Sequence, residues 1–186
     1  TDDGAVYVFQ RSGPTSWQQV AELRAPDGKT LDWFGHSLAL DGDTALVGAT
    51  FEHTGADGWA QEYYYLMTGN RSTGGGAAYL FQRDAQAHWD AGEKLTAFDA
   101  YPGDGFGVMV ALRQGLALVA AYREDPALLR RGAWGLWELQ DAGSVYAFTR
   151  DDTAQWRRRD KFTASDISAR DWFGFALSLD DQHVLV

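Results

Sequence analysis

The chain has 186 residues, of which 45% are apolar and 21 are glycine, and its 26 acidic against 16 basic side chains give a formal net charge of -10. With 8 Trp, 8 Tyr and 10 Phe it holds more aromatic surface than a solvated tail can expose, which excludes disorder, and its glycine content without long Lys, Glu and Gln stretches argues against a helical bundle. The acidic balance repels a nucleic-acid backbone, the absence of cysteine removes disulfides and thiolate metal sites, and no run of ~18 apolar residues offers a membrane-spanning helix.

From the N-terminus, period-2 alternation predicts strands at residues 6–10, 17–23, 36–40 and 44–49, the last two joined through Asp41-Gly42-Asp43, a tight hairpin whose glycine accepts positive φ. The same pattern returns twice. Residues 4–47, 76–119 and 143–186 align without a gap, and 13 of the 44 columns are identical in all three copies. They include Gly4/Gly76/Gly143, Tyr7/Tyr79/Tyr146, Phe9/Phe81/Phe148, Asp27/Asp99/Asp166, Asp32/Asp104/Asp171 and Phe34/Phe106/Phe173. Four strands per unit, repeated in tandem, are the mark of a β-propeller: stacking like sheets around an axis hides their faces and leaves only short edges. The expected fold is therefore all-β, a partial propeller of four-stranded antiparallel meanders from about three repeats, the third truncated, with loop insertions at 48–75 and 120–142.

The insertions exceed what a turn between strands needs, and long loops on rigid scaffolds tend to carry function. The first holds Trp59, Tyr63, Tyr64 and Tyr65, flat aromatic faces with polar tips suited to stacking on sugars or peptides; the second holds Trp134 and Trp137. These six are the candidate ligand-binding residues. For the second segment the competing expectation is a short helix or cap in which Leu128, Leu129, Leu136 and Leu139 pack on the blades. Because turns of a meander alternate between its ends, both insertions should share one face with the connectors 24–35, 96–107 and 163–174, and the Asp41-Gly42-Asp43 type hairpins should occupy the other.

Other motifs resolve into structural roles. Gly35-His36-Ser37-Leu38-Ala39 has the look of a nucleophile elbow, but its columns read Gly107-Val108-Met109-Val110-Ala111 and Gly174-Phe175-Ala176-Leu177-Ser178 in the other copies, and a strand follows rather than a helix. His36, His53, His88 and His183 show no metal-ligand spacing. Asp27 and Asp32, recurring in each copy, suit capping of backbone N–H groups in the turn. Arg157-Arg158-Arg159 suits a solvated outer strand.

Trp33-Phe34-Gly35-His36-Ser37-Leu38-Ala39-Leu40 running into Ala45-Leu46-Val47-Gly48-Ala49, with Gly4-Ala5-Val6-Tyr7-Val8-Phe9-Gln10-Arg11 and the matching later copies, resembles the FG-GAP repeats of integrin-type β-propellers, in the form common among bacterial surface and secreted proteins. The resemblance implies that each Phe-Gly begins the innermost strand of a blade, so that the chain holds half a blade, two whole blades and another half, to be completed by the remainder of a longer chain or by self-association. The family's Asp-rich calcium loop has no room in the three-residue links Asp41-Gly42-Asp43, Arg113-Gln114-Gly115 and Asp180-Asp181-Gln182, so no metal or other cofactor is expected. The implied function is a non-enzymatic, extracellular or cell-surface interaction module, with a protein or carbohydrate ligand and no nucleic acid. Two other readings are an accessory propeller of a larger secreted enzyme and a lectin-like sugar-binding propeller.

Overall fold

The computed structural model describes residues 4–53, 74–125 and 141–186. These form twelve strands: β1 (Val6–Arg11), β2 (Trp17–Leu23), β3 (Phe34–Asp41), β4 (Thr44–Ala49), β5 (Ala77–Gln82), β6 (Glu93–Leu95), β7 (Phe106–Arg113), β8 (Leu116–Ala121), β9 (Ser144–Arg150), β10 (Trp156–Phe162), β11 (Ser178–Leu179) and β12 (Val184–Leu185). Two antiparallel four-stranded sheets, β3-β4-β5-β6 and β7-β8-β9-β10, are flanked by the two-stranded sheets β1-β2 and β11-β12. Each full sheet takes two strands from the tail of one repeat and two from the head of the next. The registers coincide column for column: Ala45↔Phe81 and Val47↔Tyr79 in the first, Ala117↔Phe148 and Val119↔Tyr146 in the second. This is an all-β, open partial propeller with two whole blades and two half-blades.

Neighbouring blades meet through their leading strands, β3 and β4 against β7, and β7 against β11. Sheet faces covered on both sides demand continuous apolar runs rather than alternation, and β4 (TALVGA) and β8 (LALVAA) are buried along nearly their whole length. The outer strand β10, by contrast, reads WRRRDKF and exposes its arginines. Phe34 and Phe106 fill the space between sheets: Phe34 meets Tyr79 and Phe81 edge-on at 5.6 and 6.0 Å, and Phe106 meets Tyr146 and Phe148 at 5.3 and 6.2 Å. Such buried rings each contribute roughly 1.5–3 kcal/mol from apolar transfer, with a further increment from the edge-to-face geometry.

Two glycine columns recur because backbones touch there. Gly76, at φ +85°, bridges in parallel to Phe106 of the next blade, and a methyl group on it would run into the Phe106 carbonyl; one on Gly107, at φ +89°, would run into that of Ala77.

Three expectations change in detail. β6 covers only Glu93–Leu95, because the Asp90 carboxylate takes the amides of Gln82 and Gly92 at 3.0 Å each, displacing ladder bonds; an isolated bridge between Arg83 and Trp89 holds the aromatic end in place. β11 and β12 are two residues long, where β12 pairs with β11 alone and gains no third strand. Phe173, expected to be buried like Phe34 and Phe106, is half-buried: it packs against the cluster of Leu118, Ala120 and Val145, but among the described residues its one ring partner is Phe162 (6.2 Å), with no Tyr and Phe pair on a following strand.

Candidate binding face

The two ends of the sheets differ in how their polar groups are used. At the hairpin end, short side-chain bonds tie the turns down. Arg83 Nε donates to Asp43 at 2.7 Å, the Gln114 amide donates to Asp41 of the preceding blade at 2.6 Å, and Arg113 Nε donates to Asp181 of the following one at 2.7 Å. Asp84, Asp151 and Asp180 each fold back on backbone amides two to four residues on, and those hydrogen bonds, led at Asp151 by the one from the Thr153 hydroxyl at 2.6 Å, hold all three carboxyls below the ordinary carboxylate range.

The opposite end gathers the blade-to-blade connectors and the roots of both insertions, as the meander geometry requires. In the connectors, Asp32, Asp104 and Asp171 accept the amides of Lys29, Tyr101 and Ser168 at 2.6, 2.7 and 2.6 Å, the capping expected from the sequence. Asp27 and Asp99 do something else. Asp27 accepts from the Tyr79 hydroxyl and from Lys94 Nζ, both at 2.7 Å, and Asp99 accepts from Tyr146 (2.8 Å) and Lys161 (2.7 Å). Their partners lie on strands at the junction with the next repeat, so this column pins one repeat to another rather than closing its own turn.

The same lysines complete a second pair. Lys94 Nζ reaches Glu52 at 2.7 Å and Lys161 Nζ reaches Glu124 at 2.8 Å, both glutamates being buried at the root of an insertion. Each junction thus repeats one arrangement: Asp, Lys, Glu and the Tyr ring under the ammonium, 5.7 Å from Lys94 and 5.2 Å from Lys161. Burial alone would raise the Asp27 and Asp99 carboxyls, but the bonds from lysine and tyrosine outweigh it and leave both below 3.8. Burial lowers Lys94, but its two carboxylates raise it by more, so its ammonium is held above its ordinary value, while burial and the adjacent carboxylates push both tyrosines far above theirs.

The junctions differ in burial, Asp27 being 50% exposed and Asp99 16%, and in the partner of the second glutamate oxygen. Ser144 donates to Glu124 Oε2 at 2.6 Å, but the matching column in the first junction is Ala77, and Glu52 Oε2 is buried with no hydrogen-bond partner. Burial accordingly raises Glu52 above 4.5 despite Lys94.

Exposed aromatic residues stand beside this polar floor. Trp33 packs on Phe51 (4.7 Å, edge-on) and His36 (5.7 Å); Trp172 packs on Tyr122 (6.2 Å) and Phe175 (6.0 Å). Both tryptophans keep a left-handed backbone, φ 58° and 53°, in the column where the middle repeat has Gly105, and both remain about half exposed. Trp59, Tyr63, Tyr64, Tyr65, Trp134 and Trp137, with the leucines of the second insertion, lie outside the described residues. Sequence reasoning passed over Lys94/Lys161 and Glu52/Glu124, which recur in two copies at the same column spacing, and Trp33/Trp172, whose recurrence is interrupted by Gly105. Ser37, the would-be nucleophile, is buried and donates its hydroxyl to the Gly107 carbonyl at 2.8 Å. Among the described residues no cluster of His, Asp and Glu could hold a metal ion.

A profile of the FG-GAP repeat matches residues 17–81, 89–148 and 156–186. The chain belongs to the FG-GAP repeat family. The matched units begin at Trp17, Trp89 and Trp156, so each contains the Phe-Gly start of a leading strand, and the second and third also contain the lysine, Lys94 or Lys161, that crosses to the repeat before it. No curated protein matches the chain.

Proposed function

We propose that this FG-GAP propeller segment is a non-enzymatic interaction module of a secreted or cell-surface protein, bacterial in form, which binds a protein or glycan through the face that carries the insertions. The observation that carries this reading is the asymmetry of the two ends. Short hairpins are tied off by their own side chains at one end, and two segments of more than 20 residues leave the blades at the other, beside half-exposed Trp33 and Trp172. Left-handed φ at a bulky residue costs on the order of 1 kcal/mol or more and tends to persist where a side chain must be presented. Trp59, Tyr63 to Tyr65, Trp134 and Trp137 would supply the contacts above this floor. Retention of a partner from native extract, together with a glycan array, tests the assignment on the parent and on Trp59→Ala and Tyr64→Ala. The expected result is loss of binding at unchanged thermal stability. Unchanged binding in both variants, or collapse of the fold, would move the site elsewhere.

A further inference from the structure

At the junction between the two four-stranded sheets one aromatic ring is left in the open. Phe98, in the connector that follows β6, is 63% exposed. The Arg158 guanidinium of β10 lies 3.7 Å from its ring centroid, Lys161 Nζ stands 5.9 Å away, and the Tyr146 ring meets its edge at 6.2 Å. Both flanking sheets have their four strands, so the exposure belongs to the junction itself.

A break in the ladder assembles this cluster. β10 pairs with β9 as Arg158↔Phe148 and then as Asp160↔Ala147 and Lys161↔Tyr146, which leaves Arg159 as an extra residue. Side chains three apart on a regular strand face opposite ways, but the bulge turns Arg158 and Lys161 to one side, that of buried Phe148 and Tyr146. The two cations are used differently. Lys161 is held by Asp99 and Glu124. Arg158 has no carboxylate or other hydrogen-bond acceptor among the described residues, and Arg159 has only the Thr149 hydroxyl, at 2.6 Å. Stacking on a ring uses the flat face of a guanidinium and leaves free its in-plane N–H donors, the fork that fits a carboxylate or a sulfate.

The repeat does not need this cluster. The Phe98 column holds Pro26 and Ser165 in the other copies, and the Arg158 column holds Gln19 and Ala91, whereas the Asp, Lys and Tyr beneath it recur at the first junction. β10 also concentrates three Arg and one Lys against one Asp in seven residues, on a chain whose net charge is -10. Cations left without partners beside an exposed ring are complementary to an anionic ligand. An acidic peptide added as a further strand is disfavoured, since a bulge and flanking charges are the means by which an edge strand resists pairing. A sugar chain needs no free ladder: the apolar face of a pyranose lies on an aromatic ring while its acid group meets the fork.

We infer that Phe98, Arg158 and Arg159 form a subsite for an acidic polysaccharide, one sugar ring lying on Phe98 and the carboxylate or sulfate of that sugar or its neighbour held by the two guanidiniums. The subsite stands at the insertion end and rests on the reading of that end as the binding face, narrowing its ligand to an anionic glycan.

Oligogalacturonate and chondroitin sulfate oligosaccharides probe the two acid groups, with a neutral cello-oligosaccharide and poly-glutamate for comparison, in calorimetric titrations at low salt. The parent should bind at least one of the acidic sugars and neither comparison. Phe98→Ala and Arg158→Gln should weaken that binding at least about tenfold, while Arg157→Gln, the same change of net charge at a residue already paired to Asp151, should stay within about twofold of the parent. All three variants should melt like the parent. Binding lost in Phe98→Ala and kept in Trp59→Ala supports the subsite even where the insertions prove idle. Poly-glutamate bound as tightly as the sugars, an equal loss in Arg157→Gln, or a parent that binds neither acidic sugar would overturn it. In that last case a protein partner still retained from native extract would leave the insertion reading standing.

Discussion

At the scale of single residues, recurrence in the sequence marks packing. The Phe-Gly column was legible as core because it repeats in every copy, and Phe106, fully buried against Tyr146 and Phe148, is its best-packed member. Phe106→Ala should cost roughly 3–5 kcal/mol in denaturant unfolding, the usual price of an aromatic cavity. Phe173→Ala should cost clearly less, because that ring is only half-buried. A subtler difference was hidden: Ala77 and Ser144 occupy one column, and nothing in the sequence says that a hydroxyl there reaches a buried glutamate. Ala77→Ser should give Glu52 Oε2 the partner that Glu124 has, adding about 0.5–1.5 kcal/mol, the net value of one intramolecular hydrogen bond. Ser144→Ala should lose at least as much by stranding Glu124 Oε2, and opposite signs for the two variants in the same unfolding assay are the check.

At the scale of elements, the strands were readable because alternation and glycine-marked hairpins are local signals. The lengths of β6, β11 and β12 were not, since they depend on whether a neighbouring strand or an Asp90 carboxylate takes the amides. The blade junction was legible only in part: the Asp27 column recurs in all copies, but its partners sit 52 and 67 residues away, and long-range pairing leaves no periodic trace. Removing the cation from such a junction is predicted to be severe where burial is deepest. Lys161→Met should destabilise by about 3–5 kcal/mol, as when one partner of a buried ion pair is deleted, because Glu124 stays buried. Coupling to Glu124→Gln in a double-mutant cycle separates this loss from simple repacking. The hairpins carry the opposite expectation. A calcium ion takes roughly six to eight oxygen ligands, which three-residue links cannot gather, so chelator should leave the melting temperature unchanged; a large drop would place a calcium site on the chain.

For the whole molecule, the fold could be read before the site, because a repeat fixes architecture while a binding face is built from the segments that do not repeat. What the architecture does fix is how stability responds to acid. Asp27 and Asp99 at the junctions, and Asp84, Asp151 and Asp180 in the turns, all titrate below 3.8 in the folded chain. A depressed carboxyl contributes stability that is complete above its unfolded value and is lost as pH falls through the folded one. Glu52 runs the other way: raised above 4.5 by burial, it takes up a proton in the folded state first, so its penalty is full at neutral pH and relieved as pH falls towards 4.5. The melting temperature should therefore hold level or rise slightly between neutrality and about pH 5, then drop steeply below about pH 4 as the five aspartates are protonated. Glu52→Gln should remove the upper rise and leave the acid drop in place, whereas Asp99→Asn should lower the plateau and soften the drop. A melting profile that falls steadily from neutral pH in the parent, and is unchanged in both variants, would show that these junctions do not govern the stability of the propeller segment.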